Sequence, residues 1–445
     1  MKVGAAKVDI TPPLGMQLEG FEVRVDGASG IHDPLHARAL VAEGADGTTV
    51  ALVVADLIQI DARLQGLVAD EVREKTGIPR ERLQLAGTHT HSGPRLLEPS
   101  EADGASTRGC WSHPRLLEPS EAERTIGHAI AGAVARAWED RREAVAAVGI
   151  GRVEGIGASR RPNGGPVDDR VTVTRFDGVD GRPIATHASY GCHPTTLGPN
   201  NLLYSADFPG VLCRLVDEAV GGVTIFSTGP QGDVNPGGYS PEGSMVGVVV
   251  PWRTFESAER YGRILADCVL AVRDGLAPVP SGRVWGDSQV VELRRKRLPD
   301  LAVARAAATT ARASERAVRE ADLTADATYH ALVAAAYAEL IADQAADPDR
   351  DGPVRVRASA LAFGPLLHVG VQGELFVGLG QQIRAALGDE TTCVAALCDG
   401  TVGYIPTADA FSVGGYEPNA SVLQSGEGER LVEAVVALAS AAPLG

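Results

Sequence analysis

The chain has no uninterrupted apolar run of about 18 residues, so no segment qualifies as a membrane-spanning helix. Its first residues, Met1 to Pro13, carry no apolar stretch of signal-peptide length, which leads to an expected cytoplasmic location. Basic residues are few. The 41 Lys and Arg stand against 57 Asp and Glu, a formal net charge of −16. That balance argues against nucleic acid and against an anionic membrane surface as partners, because both need a basic patch. Only six cysteines occur in 445 residues (Cys110, Cys192, Cys213, Cys268, Cys393 and Cys398), and none forms a CxxC pair. They read as buried thiols, not as a disulfide framework, and Cys192 is expected to pack although a histidine adjoins it. Aromatic residues make up only 4%. An HExxH helix, an HxHxDH run and a phosphate-loop lysine are all missing, which removes two zinc-hydrolase patterns and nucleotide binding.

What is present points to a large α/β unit. Hydrophobic residues reach 44%, enough for a substantial core, and 52 Gly with 27 Pro imply many turns. No change of composition marks a linker. Residues 50–56 form a near-continuous apolar run, as in a strand buried on both faces. A helical pattern over 62–75 ends at Gly77-Ile78-Pro79, and a second strand follows over 82–86. This strand–helix–strand unit delivers polar residues to a strand's C-terminal end, where α/β sites lie. Asp56, at the end of the first strand, either faces a site or caps the turn into the helix.

Further strands are expected over 145–153, 223–227 and 393–397. Hairpins are expected from 172–176 with 183–187, and from 354–362 with 366–371 across Gly364-Pro365. Helices are expected over 120–142, 210–219, 252–274, 375–386 and 427–441, with one or two more over 301–343. Residues 94–102 recur as 114–122, at an offset of 20, and read as a local duplication in a surface loop.

Two of the ten histidines stand one residue apart at the exit of the second strand, His89 and His91. If that strand stays extended, its alternation puts both on one face. Two imidazoles so placed begin a metal site, although a polar loop fits the spacing as well. Other strand exits carry His193, Glu374 (at the head of a helix) and Tyr404. A Gly-rich loop over 228–238 contains Asn235 and lets backbone approach a ligand. Arg160 and Arg161, in the loop 159–165, either bind a carboxylate or are solvated.

In chain order the motifs THTHSGP (88–94), CHPTT (192–196), GDVNP (232–236), QGELF (372–376) and VGYIPT (402–407) resemble the neutral/alkaline non-lysosomal ceramidase family. The resemblance runs from Asp9-Ile10-Thr11-Pro12 to about Ser421. It implies an α/β fold, a large mixed sheet with flanking helices and a zinc site at strand-end loops. It implies Zn²⁺ held by His89, His193, Glu374 and Tyr404. His91, acting on substrate or the attacking water, joins Arg160 and Tyr416 as implied catalytic residues. Asn235 stands where the family has a serine proposed to be catalytic. A hydroxyl nucleophile is therefore absent there, and the Asn235 amide is expected to hold the substrate carbonyl or water.

Residues 1–445 are expected to form a single ceramidase-like catalytic domain, without the family's C-terminal immunoglobulin-like domain. The expected activity is zinc-dependent cleavage of an amide bond in a small N-acyl substrate through a metal-activated water. The alternatives are true ceramide (N-acylsphingosine) hydrolysis and a catalytically silent metal-binding member. The expected partners are a small-molecule substrate, either an N-acyl amide or a sphingolipid, with a homo-oligomer left open. His32, His36, His113, His128, His187, His330 and His368 are expected to be structural or on the surface.

Overall fold

The structure, a computed structural model, describes residues 1–21, 23–96, 120–321 and 324–443. Most of the repeated segment, with Cys110 and His113, lies outside the described residues. Among the described residues no helix is long and apolar enough to cross a membrane.

The first half of the main sheet runs in the order Lys2–Asp9, His36–Glu43, Thr49–Ala55, Leu83–Gly87. Its last two strands are parallel and joined by the helix Ala62–Thr76. The Asp61 side chain caps that helix at its start, and Gly77, at φ 74°, ends it in the left-handed region that glycine tolerates. Asp56 therefore does not cap. It accepts from Arg38 Nη1 at 2.7 Å and from the His36 amide at 2.8 Å, as half of a buried ion pair.

The second half runs Arg142–Arg152, Arg170–Gly178, Pro183–Tyr190, Val223–Thr228. It too ends in a parallel pair, crossed by the helix Asp207–Val220. Only two residue pairs, Lys2 with Glu143 and Val3 with Arg142, stitch the halves together. Strand Val223–Thr228, at one end of the order, nevertheless lies against His36–Glu43 and Thr49–Ala55. The sheet thus doubles over, and one apolar core fills the space between its halves with Leu40, Leu52, Val54, Phe176 and Ile225. Each such side chain contributes about 1.5–3 kcal/mol when fully buried. Helices Ala62–Thr76 and Glu121–Glu139 cover one outer face, and Asp207–Val220 with Phe255–Gly275 cover the other.

A third sheet, Val284–Leu293, Val354–Phe363, Leu366–Val371, Cys393–Ala395, closes the side of this core with Leu361, Phe363 and Leu366. Its last pair is again parallel, crossed by the helix Val377–Leu387. Three parallel pairs therefore point their C-terminal ends toward one region. Thr228 Oγ1 donates to Thr88 O at 2.7 Å and the Ala396 amide to Thr228 O at 2.9 Å, which ties the three exits together.

Several local expectations change. The helix expected over 120–142 stops at Glu139, because Arg142 already pairs in a strand, so Arg141 and Arg142 do not face its C-terminal dipole. The Ala-rich stretch is two helices, Leu301–Glu320 and Ala325–Ala346. Glu374 does not head a helix. It pairs in parallel with Tyr404 in a two-residue strand, and the helix starts at Val377.

Candidate metal centre and active site

His89, His193 and Glu374 are all buried, and one ligand atom of each lies within 4.8 Å of the others. Each leaves the C-terminal end of a different parallel pair, so the constellation follows from the chain's three crossovers. His89 reaches it through a turn, not through strand alternation: the strand ends at Gly87 and His89 sits at φ 69°. That left-handed conformation is unusual for a non-glycine residue and marks a constrained position.

The backbone sets the tautomers. His89 Nδ1 donates to Ile58 O at 2.9 Å, and His193 Nδ1 to Gln231 O and Val234 O at 2.8 and 2.9 Å. With Nδ1 protonated in both, the two Nε2 lone pairs face inward. Glu374 Oε2 lies 2.8 Å from His193 Nε2 and 3.4 Å from His89 Nε2. Three acceptors converging in a dry pocket require a cation or a proton between them, and that donor set, two imidazoles and a carboxylate, fits a divalent ion such as zinc. Burial works against the charge on Glu374, but the His89 and His193 imidazoles outweigh it and hold its carboxyl well below the usual range. Burial, followed by Arg160, brings His193 down to about 4.

His91 completes the cluster from the side. Its Nδ1 donates to Gly20 O at 3.1 Å, and its Nε2 lies 3.4 Å from His89 Nε2. Burial, with the positive neighbours His89, His193, Arg253 and Arg24, holds it well below its usual pKa, in the neutral form that accepts a proton at Nε2. Its ring packs against Phe21 at 5.0 Å between centroids, and Arg24 Nη2 donates to its carbonyl at 2.6 Å.

Tyr404 occupies the strand position beside Glu374, and its hydroxyl accepts from Arg160 Nη2 at 3.0 Å. Burial, with Glu374 next, raises the phenol well above its usual pKa. Arg160 is neither solvated nor waiting for a carboxylate ligand. It is buried, donates through Nε to Glu417 Oε1 at 2.6 Å and through Nη2 to Gly232 O at 3.0 Å. Its geometry fits a residue that positions the Tyr404 hydroxyl. Arg161 pairs with Asp409 instead. Tyr416 packs its ring 5.5 Å from that of Tyr404.

Asn235 is fully buried in the strand Val234–Pro236. Its Nδ2 donates to Tyr239 O at 2.8 Å, while Oδ1 has no hydrogen-bond partner among the described residues. A buried acceptor left open is costly and invites a ligand donor. Glu417, Gly20 and Arg24 also build the site, and sequence reasoning assigned them no role. Glu417 directly follows Tyr416 and could have been found as the counter-ion a buried arginine requires.

A second triad, His187, His368 and Cys393, lies in the core and differs in kind. His187 Nε2 and His368 Nε2 both bond Ser227 Oγ at 2.9 Å, and His368 Nδ1 bonds Gln84 Oε1 at 2.8 Å. Burial keeps Cys393 protonated, pushed up to about 12. These contacts join the three sheets through neutral hydrogen bonds, a structural role.

Residues 1–242 match the family model for the N-terminal part of neutral/alkaline non-lysosomal ceramidases. Neutral ceramidases B and A of Dictyostelium discoideum are 25% and 26% identical over 266 and 267 residues, 54% of this chain and 36% of each relative. Neutral ceramidase of Drosophila melanogaster is 22% identical over 335 residues, 65% of this chain and 46% of that protein. The matched region thus spans about a third to a half of these relatives' length. The crystal structure of neutral ceramidase from Pseudomonas aeruginosa shares the fold, with a TM-score of 0.73 over 100% of this chain and 75% of that one, at 19% identity. A ceramidase complexed with C2 gives the same score at 18% identity.

Proposed function

Because the chain belongs to the neutral/alkaline non-lysosomal ceramidase family, we propose that it is a zinc-dependent hydrolase of a lipid N-acyl amide of the ceramide class. Family membership supports this lipid substrate over a small soluble amide. The observation that carries the reading is the convergence of His89 Nε2, His193 Nε2 and Glu374 Oε2, three acceptors in one buried spot. They would hold the ion, with Tyr404 as the fourth donor. When bound, a divalent ion supplies Lewis-acid polarisation of the amide carbonyl and acidifies a water.

The chain's own residues do the rest. Neutral His91 takes a proton at Nε2 from the attacking water and returns it to the leaving amine. The carbonyl of Gly20 fixes that tautomer. Arg160, anchored by Glu417, positions the Tyr404 hydroxyl. Asn235 Oδ1 accepts an N–H or O–H of the substrate and gives no nucleophile, so the acyl group passes directly to water. Burial of the whole set excludes bulk water and strengthens each interaction.

The test is turnover of an N-acylsphingosine and of a short N-acyl amide by protein that is metal-free, then reloaded with zinc. Release of sphingoid base and fatty acid only from the zinc-loaded protein is expected. Full activity in the metal-free protein, or hydrolysis of neither amide, would overturn the proposal.

A further inference from the structure

The loop beyond Asn235 carries an apolar run that no part of the site uses. Met245-Val246-Gly247-Val248-Val249-Val250-Pro251-Trp252 contains no charged residue. Yet every one of these residues is at least partly exposed, with Val248 at 44% and Val249 at 51%. Single exposed aliphatics need no explanation, but a contiguous run of them does. A second loop adds to it with Val23 at 42% exposure and Val25 at 71%. That loop is closed by the Gly15 amide on Ala28 O at 2.9 Å and by Gln17 Nε2 on Val25 O at 3.0 Å. The two loops meet, since a methyl group on Gly247 would lie 3.6 Å from Val23 Cγ2.

Both loops lead directly into the reaction site. Gly20 and Phe21 hold and pack His91. Trp252 packs on Tyr239 at 5.8 Å between ring centroids, and the Tyr239 carbonyl holds Asn235. The charge is equally one-sided. In sequence the first loop contributes the acids Glu22 and Asp26, while Arg24 turns inward to Glu19 O and His91 O. Glu242, before the second loop, is taken up by Ser240 and Tyr337. An apolar patch without outward basic residues, on a chain of net charge −16, suits an uncharged or zwitterionic lipid surface and is repelled by an anionic one.

We propose that these two loops form a lip that docks the protein on a zwitterionic lipid surface, from which a lipid amide passes to His91 and Asn235. The proposal rests on the lipid-amide reading of the site and adds how that substrate is reached. An amide at the junction of headgroup and acyl chain lies at interfacial depth, so a site bordered by a penetrating apolar lip meets it without extracting the whole molecule into water.

The test uses co-sedimentation of the full chain with phosphatidylcholine vesicles, alongside phosphatidylserine vesicles. The variants are Val248→Glu with Val249→Glu, and a control pair Val248→Leu with Val249→Leu. The wild type and the control are expected to sediment with phosphatidylcholine and less with phosphatidylserine. The acidic pair should bind on the order of tenfold less, the partition lost when two half-covered valines no longer leave water. Turnover of a water-soluble short N-acyl amide should stay unchanged in the acidic pair, while turnover of vesicle-borne lipid amide falls in step with binding. Equal sedimentation of wild type and acidic pair, or a wild type that stays in the supernatant, overturns the proposal. So does a wild-type dimer that the acidic pair dissociates without vesicle binding in either, which makes the lip a contact between copies. Sedimentation needs no catalysis, so an inactive protein that still binds vesicles refutes the proposed activity and leaves the lip intact.

Discussion

Replacing Glu374 by glutamine tests the reading of the metal centre with the fewest side effects. The side chain is 1% exposed, with Oε2 2.8 Å from His193 Nε2 and 3.4 Å from His89 Nε2. Both imidazoles give their Nδ1 protons to backbone carbonyls, so the site presents lone pairs from three sides. A carboxylate in that position calls for a cation. A glutamine of the same shape instead turns an N–H toward the bare nitrogens and satisfies them without one. The variant should therefore fold at least as stably as metal-free wild type while losing the stabilisation that the ion confers. Changes to groups that merely orient a ligand cost about 10–100-fold in metal affinity, so removing a ligand's charge should cost about 100-fold or more. At an ion concentration of about 100 times the wild-type dissociation constant, linkage gives wild type about 2.7 kcal/mol. A 100-fold weaker site under the same conditions keeps only about 0.4 kcal/mol. Calorimetric melting with and without zinc, together with metal content after dialysis, reads this difference directly. A variant that keeps one ion per chain and the full wild-type stabilisation would show that Glu374 is a buried acid and not a ligand.

Other perturbations separate the remaining roles. His91→Ala should keep its zinc and lose about 10²–10⁴-fold in kcat, the usual range for a general acid–base group; loss of the ion instead would make His91 a ligand. Gly20→Ala places a methyl group 2.4 Å from His91 Nδ1 on a residue at φ 103°, so kcat should fall at least about tenfold with zinc content unchanged. Asp207 is raised from 3.8 to about 7, chiefly by burial. Between about pH 4 and about pH 7 the folded chain keeps a proton that the unfolded chain releases, so its contribution to stability falls as pH rises through that window, by at most about 4 kcal/mol. Asp207→Asn, which tolerates the φ of 54° found there, should flatten that slope in denaturant midpoints measured from pH 4 to 8. An unchanged slope would assign the pH dependence elsewhere.

The parts of the fold that were legible are those written in local pattern. The apolar run 50–56, the helix ended by Gly77 and the strand before His89 form a unit whose periodicity is self-contained, and the structure reproduces it. Strand Val284–Leu293 was not anticipated, because half of its residues face outward and it pairs with Val354–Phe363, some 60 residues on. The doubling-over of the main sheet was equally hidden, since it depends on contacts between strands at opposite ends of the chain order. At the site, the residue types at the strand exits were readable, but their partners were not. Glu417, Gly20 and the carbonyl of Ile58 act through backbone or through distant loops, and no spacing rule connects them to His91, Arg160 or His89.

Those hidden partners explain why the site tolerates Asn235. His89, His193 and His91 are each oriented by a backbone carbonyl of another segment: Ile58, Gln231 with Val234, and Gly20. The tautomers are thus fixed before an ion or a substrate arrives and owe nothing to the side chain at position 235. An asparagine there keeps one bond, to Tyr239 O, and leaves its carbonyl oxygen open. The loop therefore offers an acceptor in place of a nucleophile, while the imidazole geometry around it is preserved. Preorganisation of this kind lowers the reorganisation that each turnover requires. It also concentrates proton transfer on His91, the one histidine of the three whose inward nitrogen faces another imidazole and not the Glu374 carboxylate.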